Sequence, residues 1–172
     1  VKGTHPGASV TPIQAYQILQ QDPEHTFLVD VRTRYEYQDV GHPVGAFNVP
    51  LKFYTTETVR RGYRKVPNEN FIADLKALFN PETDTILFIC RAGERSITAA
   101  EAAIAGGFKA EKVYNIRGGF EGDPVMNPDS PLYGKRTVGG WRLEQLPWTF
   151  KMDRKYMYQR DLSPSPPSPP SP

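Results

Sequence analysis

Three short apolar runs, set between stretches of helical spacing, constrain the fold of this chain more than any other feature. FLVDV (27–31), TILFIC (85–90) and KVYNI (112–116) are each bounded by polar or turn-forming residues, the pattern of short buried strands. Around them, Thr11-Pro12 offers a helix cap and a residue preset for a first turn, ahead of Ile13, Tyr16, Ile18 and Leu19 at near-helical spacing. NENFIADLKALF (68–79) places Phe71, Ile72, Leu75, Leu78 and Phe79 on one helical face behind an Asn cap, and ITAAEAAIAGGF (97–108) is an alanine-rich helix closed by Gly106-Gly107. In GHPVGAFNVP (41–50), paired glycines and prolines demand turns, with a short strand near Phe47. Strand alternating with helix predicts an α/β fold, a central mostly parallel sheet with helices on both faces.

A chain of 172 residues can bury one substantial core but not two ordinary ones. The expected organisation is a flexible segment (1–8), one domain (9–123), an irregular extension that wraps it (124–162) and a solvated Pro/Ser tail (163–172) of polyproline character. Trp141 and Trp148 in the extension are expected to cover core surface. Lys plus Arg number 21 against 19 Asp plus Glu, a near-balance without the broad field that grips nucleic acid or an anionic membrane. No apolar run approaches the roughly 20 residues of a membrane span, so neither nucleic acid nor a membrane is an expected partner. The basic stretch from Lys52 to Lys65, with Arg60, Arg61 and Arg64, reads as a solvated loop. The chain opens on Val1 without a signal-peptide pattern, so an upstream segment is expected to have been removed or left out, and both exported and cytoplasmic placement stay open. Oligomeric state is not encoded in any pattern found.

The chemistry concentrates at Cys90, the one cysteine of the chain, which cannot close an internal disulfide or build a multi-thiolate metal site. It stands at the C-terminal end of a strand, before the Gly-containing loop CRAGERS and a helix expected to begin near Ser96, the edge where open α/β sheets bind ligands. The backbone N–H groups from Arg91 through Ala92, Gly93, Glu94 and Arg95 to Ser96 are expected to point inward and, with the helix terminus, to cradle an anion. A free thiol titrates at about pH 8.5, so its nucleophilic thiolate is a minor species at neutral pH. A helix terminus, worth about 0.3–2 kcal/mol, together with the guanidinium groups of Arg91 and Arg95, is expected to enrich it without a histidine base. Glu94 opposes this and is expected to face outward or pair with a cation, while Ser96 reads as a helix cap rather than a catalytic hydroxyl. No metal or cofactor is expected.

CRAGERS resembles the active-site loop of the rhodanese family. LVDVRTRYEYQDVGHPVGAFNVP (28–50) is similar to that family's D-x-R and Gly-His signature, and KVYNIRGGFEG to its strand and Gly-Gly turn after the catalytic helix. The resemblance covers about residues 9 to 123, and it implies a single-domain sulfurtransferase. Cys90 would then carry sulfur as a persulfide, the loop amides would form its pocket, and Asp30 and Arg32 would brace the site from the neighbouring strand; His42 would stay a turn residue. The implied partners are a small anionic, thiosulfate-like donor and a cyanide or thiol acceptor, with a redox protein as a further candidate. Pro43-Val44 after His42, and Ala92 with Glu94 in the loop, depart from the family pattern and leave the donor open. Two rival readings are a non-catalytic binding or sensing module and a cysteine phosphatase. Phosphatases of this architecture place five residues between Cys and Arg, whereas four separate Cys90 from Arg95.

Overall fold

The computed structural model describes residues 8–159. Most of the expected leading segment and the Pro/Ser tail lie outside the described residues. Along the chain run β1 (Ala8–Val10), α1 (Pro12–Gln21), β2 (Thr26–Asp30), β3 (His42–Pro43), β4 (Phe47–Asn48), β5 (Lys52–Val59), β6 (Gly62–Pro67), α2 (Phe71–Leu78), β7 (Thr85–Ile89), α3 (Glu94–Ala105), β8 (Val113–Ile116), β9 (Asp123–Pro124), β10 (Arg136–Val138) and β11 (Trp148–Thr149). Ala8, counted in the leading segment from sequence, already pairs with Tyr114 in β1.

Five strands form the central sheet in the order β1-β8-β7-β2-β4, and every pairing in it is parallel. Both of its faces are covered, which is why the strand sequences are continuously apolar instead of alternating. Successive side chains of β7 go to opposite sides. Ile86 and Phe88 pack with Phe71 and Leu75 of α2 and Ala99, Ala100 and Ala103 of α3. Leu87 and Ile89 pack on the other face with Ala15 of α1, Phe120 and Trp141. Each large side chain so buried contributes about 1.5–3 kcal/mol relative to exposure. The α/β architecture with helices on both faces is therefore the observed one.

Local chemistry explains the element ends. Thr11 caps α1 in a reciprocal box: its hydroxyl accepts from the Gln14 amide at 3.2 Å while the Gln14 side chain accepts from the Thr11 amide at 3.0 Å. Asn70 makes no side-chain cap at α2; the side-chain Oδ1 of Asn68 accepts from the Asn70 amide instead, at 3.0 Å. Ile13 and Leu78, expected on packed faces, are exposed, because the buried stripe of each short helix is narrower than the periodicity suggested.

Two further expectations fail in this region. His42 is not a turn residue: it is buried in β3, its ring stacked on Tyr37 with centroids 3.7 Å apart and its Nδ1 2.7 Å from the Tyr37 carbonyl oxygen. The basic stretch is not a loop either. It forms the antiparallel hairpin β5–β6, exposed along most of its length, with Arg64 donating to Glu57 at 3.1 Å.

Beyond Asp123 the chain folds back across the domain. β10 pairs with β9, β11 with β3, and the Asn48 amide donates to the Tyr156 carbonyl at 2.8 Å. Trp141 is fully buried, edge-on to Tyr16, with its indole N–H donating to the Pro147 carbonyl at 2.9 Å. Trp148 packs against Gly41, where an added Cβ would meet the indole at 2.8 Å.

Candidate active site

Cys90 follows β7 immediately, so the sheet delivers its sulfur to the C-terminal edge. Gly93, at φ 115°, permits the turn that starts α3, and its amide donates to Cys90 Sγ at 3.0 Å. The helix begins at Glu94, two residues before the start expected from sequence. Ser96 is thus not a cap. It lies within the first turn, fully buried, its hydroxyl 3.3 Å from the sulfur and donating to Asn115 Oδ1 at 2.5 Å. Asn115 of β8 in turn donates to the Ser9 hydroxyl at 3.3 Å, so a buried polar chain runs from the sulfur across the sheet to β1.

The loop is clamped from the turn after β8. The Phe120 amide donates to the Cys90 carbonyl at 2.8 Å and the Glu121 amide to the Arg91 carbonyl at 2.9 Å. Only glycine fits at 119: at φ 56° an added Cβ would lie 2.6 Å from the Arg91 carbonyl oxygen and collide with that of Cys90.

The Cys90 residue is 1% exposed, yet it lines a cavity of about 200 Å³ with Arg91, Ala92, Glu94, Arg95 and Arg136. Cys90 thus belongs to the buried core cluster and at the same time borders this cavity. Gly93 and Ser96 stand behind it, touching the sulfur without lining the cavity. Glu94 is exposed but also lines the cavity, so it is not turned fully away from the site, and it stands in the first turn of α3 at the favourable end of the helix dipole.

The two loop arginines are not simply turned on the sulfur. Arg91 is half exposed and pairs with Glu121 at 3.1 Å. Arg95 forms a two-point pair with Glu36, both bonds 2.7 Å. Burial alone would raise the Glu36 carboxyl. The Arg95 hydrogen bonds and charge, then the Arg32 charge and the Thr33 hydroxyl, outweigh it and hold the carboxyl down at about 2. Burial pulls the Arg95 guanidinium down, and Glu36, with a smaller contribution from Cys90, more than offsets this.

A depressed carboxylate stabilises the fold above its unfolded value and withdraws that support as pH falls through the folded value. Stability is therefore expected to drop between about pH 4.5 and pH 2 by about 2–3 kcal/mol, somewhat less than the full shift because both partners retain some solvent contact. Urea unfolding at pH 5.5 and pH 2.5 checks this: Glu36→Gln should show a clearly smaller loss than the unmodified protein, and equal losses would rule it out.

Asp30 and Arg32 lie behind the site as a fully buried pair. Arg32 Nη2 donates to Asp30 Oδ2 at 2.6 Å and to the Gly41 carbonyl at 2.7 Å, and Nε donates to Oδ1 at 2.9 Å. The guanidinium also sits 4.5 Å above the Phe120 ring. Burial would lower the Arg32 guanidinium, but the Asp30 charge and hydrogen bonds leave it raised. Asp30 pairs in register with Ile89, and the Val31 amide donates to the Ile89 carbonyl at 2.9 Å, so this pair fixes the strand end from which Cys90 projects.

Glu36, Asn115, Glu121 and Arg136 were not singled out from sequence. Glu121 stands two residues after Gly119 and Arg136 sits in the basic GKR triplet, weak signals that charge pairing alone could have raised. Among the described residues no three His, Cys, Asp or Glu side chains converge as a metal site would require, and no helix is long and apolar enough to cross a membrane.

Comparison with known proteins agrees with this arrangement. Residues 11–122 match the model of the rhodanese-like domain. An uncharacterized Rickettsia prowazekii protein is 33% identical over 143 residues, covering 83% of this chain and 97% of that protein. An Arabidopsis thaliana protein named Thiosulfate sulfurtransferase 18 is 36% identical over 114 residues, covering 65% of this chain and 74% of that protein. A crystal structure from Mycobacterium tuberculosis is 32% identical and superposes with a TM-score of 0.64, covering 83% of this chain and 97% of that one. The active-site loop, the clamp behind it, the sheet order and the match over residues 11–122 agree: the chain belongs to the rhodanese-like domain family.

Proposed function

We propose that this protein is a sulfurtransferase that moves sulfane sulfur from a small anionic donor to a thiol or cyanide through a persulfide on Cys90. The observation that carries this reading is the placement of Cys90: its Sγ lies 3.0 Å from the Gly93 amide at the N-terminus of α3, and the residue borders a cavity lined by three arginines. A backbone N–H and a helix terminus aimed at one atom stabilise negative charge there before and after sulfur is taken up. With a thiosulfate-like donor, the Cys90 thiolate attacks the sulfane sulfur, a Cys90 S–S bond forms, and the donor's S–S bond breaks with its electron pair leaving on sulfite. Cyanide or a thiolate then attacks the outer sulfur and the electron pair returns to Cys90. The name of the Arabidopsis relative supports the donor class.

Intact mass after thiosulfate treatment tests the reading: the protein should gain one sulfur atom, about 32 Da, and lose it on adding cyanide. A protein that takes up no sulfur from thiosulfate, mercaptopyruvate or polysulfide would not be such an enzyme.

The exposed Glu94 carboxylate repels an anionic donor at the cavity wall. Glu94→Gln is expected to raise kcat/KM for thiosulfate by about two- to fivefold at low salt, the scale of one exposed charge contact, and the gain should shrink as ionic strength rises. Initial rates at two salt concentrations measure it.

A further inference from the structure

Resting on that sulfur-transfer reading, we propose that Arg136 forms the oxyanion subsite of the Cys90 cavity, so that a strand from beyond the matched domain selects the anionic sulfur donor. Three guanidinium groups line this cavity, and they are not equivalent. Arg91 is joined to Glu121 and Arg95 to both oxygens of Glu36. A cation already paired with a carboxylate attracts a second anion only weakly, because its charge is cancelled and its donors are in use. Arg136 makes a different contact. Its Nη1 donates to the Gly122 carbonyl at 2.7 Å, and no carboxylate among the described residues pairs with it. A carbonyl orients the group without neutralising it, so the charge and the remaining N–H groups stay available to the cavity.

The backbone holds Arg136 in this position. β10 is paired to β9, with Arg136 opposite Pro124, and the two segments approach so closely that an added Cβ at Gly122 would lie 2.7 Å from the Val138 carbonyl oxygen. Trp141, buried on the sheet three residues after β10, pins the same segment. The ligand that suits a half-buried, uncompensated guanidinium beside a recessed nucleophile is a small donor whose sulfane sulfur is bonded to an oxyanion group, such as a thiosulfonate or thiosulfate. That group ends as the leaving sulfite or sulfinate, carrying the electron pair of the broken S–S bond, and Arg136 stabilises it as it departs.

Calorimetric binding of thiosulfate to the Cys90→Ser protein, where no transfer follows, reads the subsite directly. Adding Arg136→Gln, which keeps an N–H donor for the Gly122 carbonyl but removes the charge, should weaken binding at least about tenfold, while Arg136→Lys should stay within about threefold. In turnover, Arg136→Gln should raise KM for thiosulfate by a similar factor and leave KM for cyanide unchanged. Equal binding by the Cys90→Ser and Cys90→Ser/Arg136→Gln proteins overturns the proposal, as does no binding by either, or a Lys protein as weak as the Gln protein. Thermal melting confirms that each variant is folded; if Gln unseats β10, the Lys comparison decides. Intact mass on the unmodified protein separates the two levels: sulfur uptake with no Arg136 effect sinks the subsite alone, whereas no uptake sinks the transferase reading while the binding result still judges the subsite.

Discussion

Replacing Cys90 by serine is expected to abolish sulfur uptake, with kcat/KM for sulfur transfer falling at least about 10³-fold, to the level of the uncatalysed reaction. A serine hydroxyl occupies nearly the same space, and the Gly93 amide and Ser96 hydroxyl that meet the sulfur can meet an oxygen equally well. It cannot form a persulfide, and at neutral pH it offers essentially no oxyanion nucleophile. Fold and cavity should therefore survive while chemistry is lost, a combination that rate assays, intact mass and thermal melting read together. A non-catalytic sensing module would bind its ligand equally well with either residue, so unchanged behaviour of the variant would favour that alternative.

Asp30→Ala should be the most damaging change to stability near the site. It leaves the Arg32 guanidinium, fully buried and with Nη1 already unpartnered among the described residues, without its counter-charge. Removing one member of such a pair costs about 3–5 kcal/mol, because the remaining charge is desolvated and uncompensated. For a chain of this size that lowers Tm by about 6–20 °C. The double variant Asp30→Ala/Arg32→Leu should recover much of the loss, since no charge is then stranded and the aliphatic side chain can pack on Phe120. Calorimetric melting of both proteins checks the pair: a double variant as unstable as Asp30→Ala would mean that Arg32 contributes by packing and its Gly41 bond instead of through charge.

The parts of the fold legible in the sequence were those whose signal is local. FLVDV, TILFIC and KVYNI became β2, β7 and β8 because strands buried on both faces are apolar throughout, and Thr11 capped α1 as a Thr-Pro start should. The hairpin β5–β6 gives no such signal because it buries little and its sequence scatters apolar residues among charged ones. His42 was misplaced because its burial depends on Trp148 and Thr149 arriving from far along the chain. At the site, Cys90 and its loop stand in one segment and could be read. Their electrostatic partners could not: Glu36 and Arg95 are 59 residues apart, and Arg136 reaches the cavity only through the β9–β10 pairing. Ser96 looked like a cap because the true start of α3 relies on the positive φ of Gly93, which no side-chain capping signal announces.

The depth of Cys90 has a consequence for the order of events. With the residue 1% exposed, a sulfur donor of the proposed kind would have to be slim to reach Sγ. In the proposed cycle the loaded residue would present its outer sulfur one S–S bond, about 2.05 Å, beyond Sγ. Acquisition and delivery thus make unequal steric demands: a narrow inorganic ion fits the first step, and a bulkier thiol, even one borne on a protein surface, can meet the sulfur at the second.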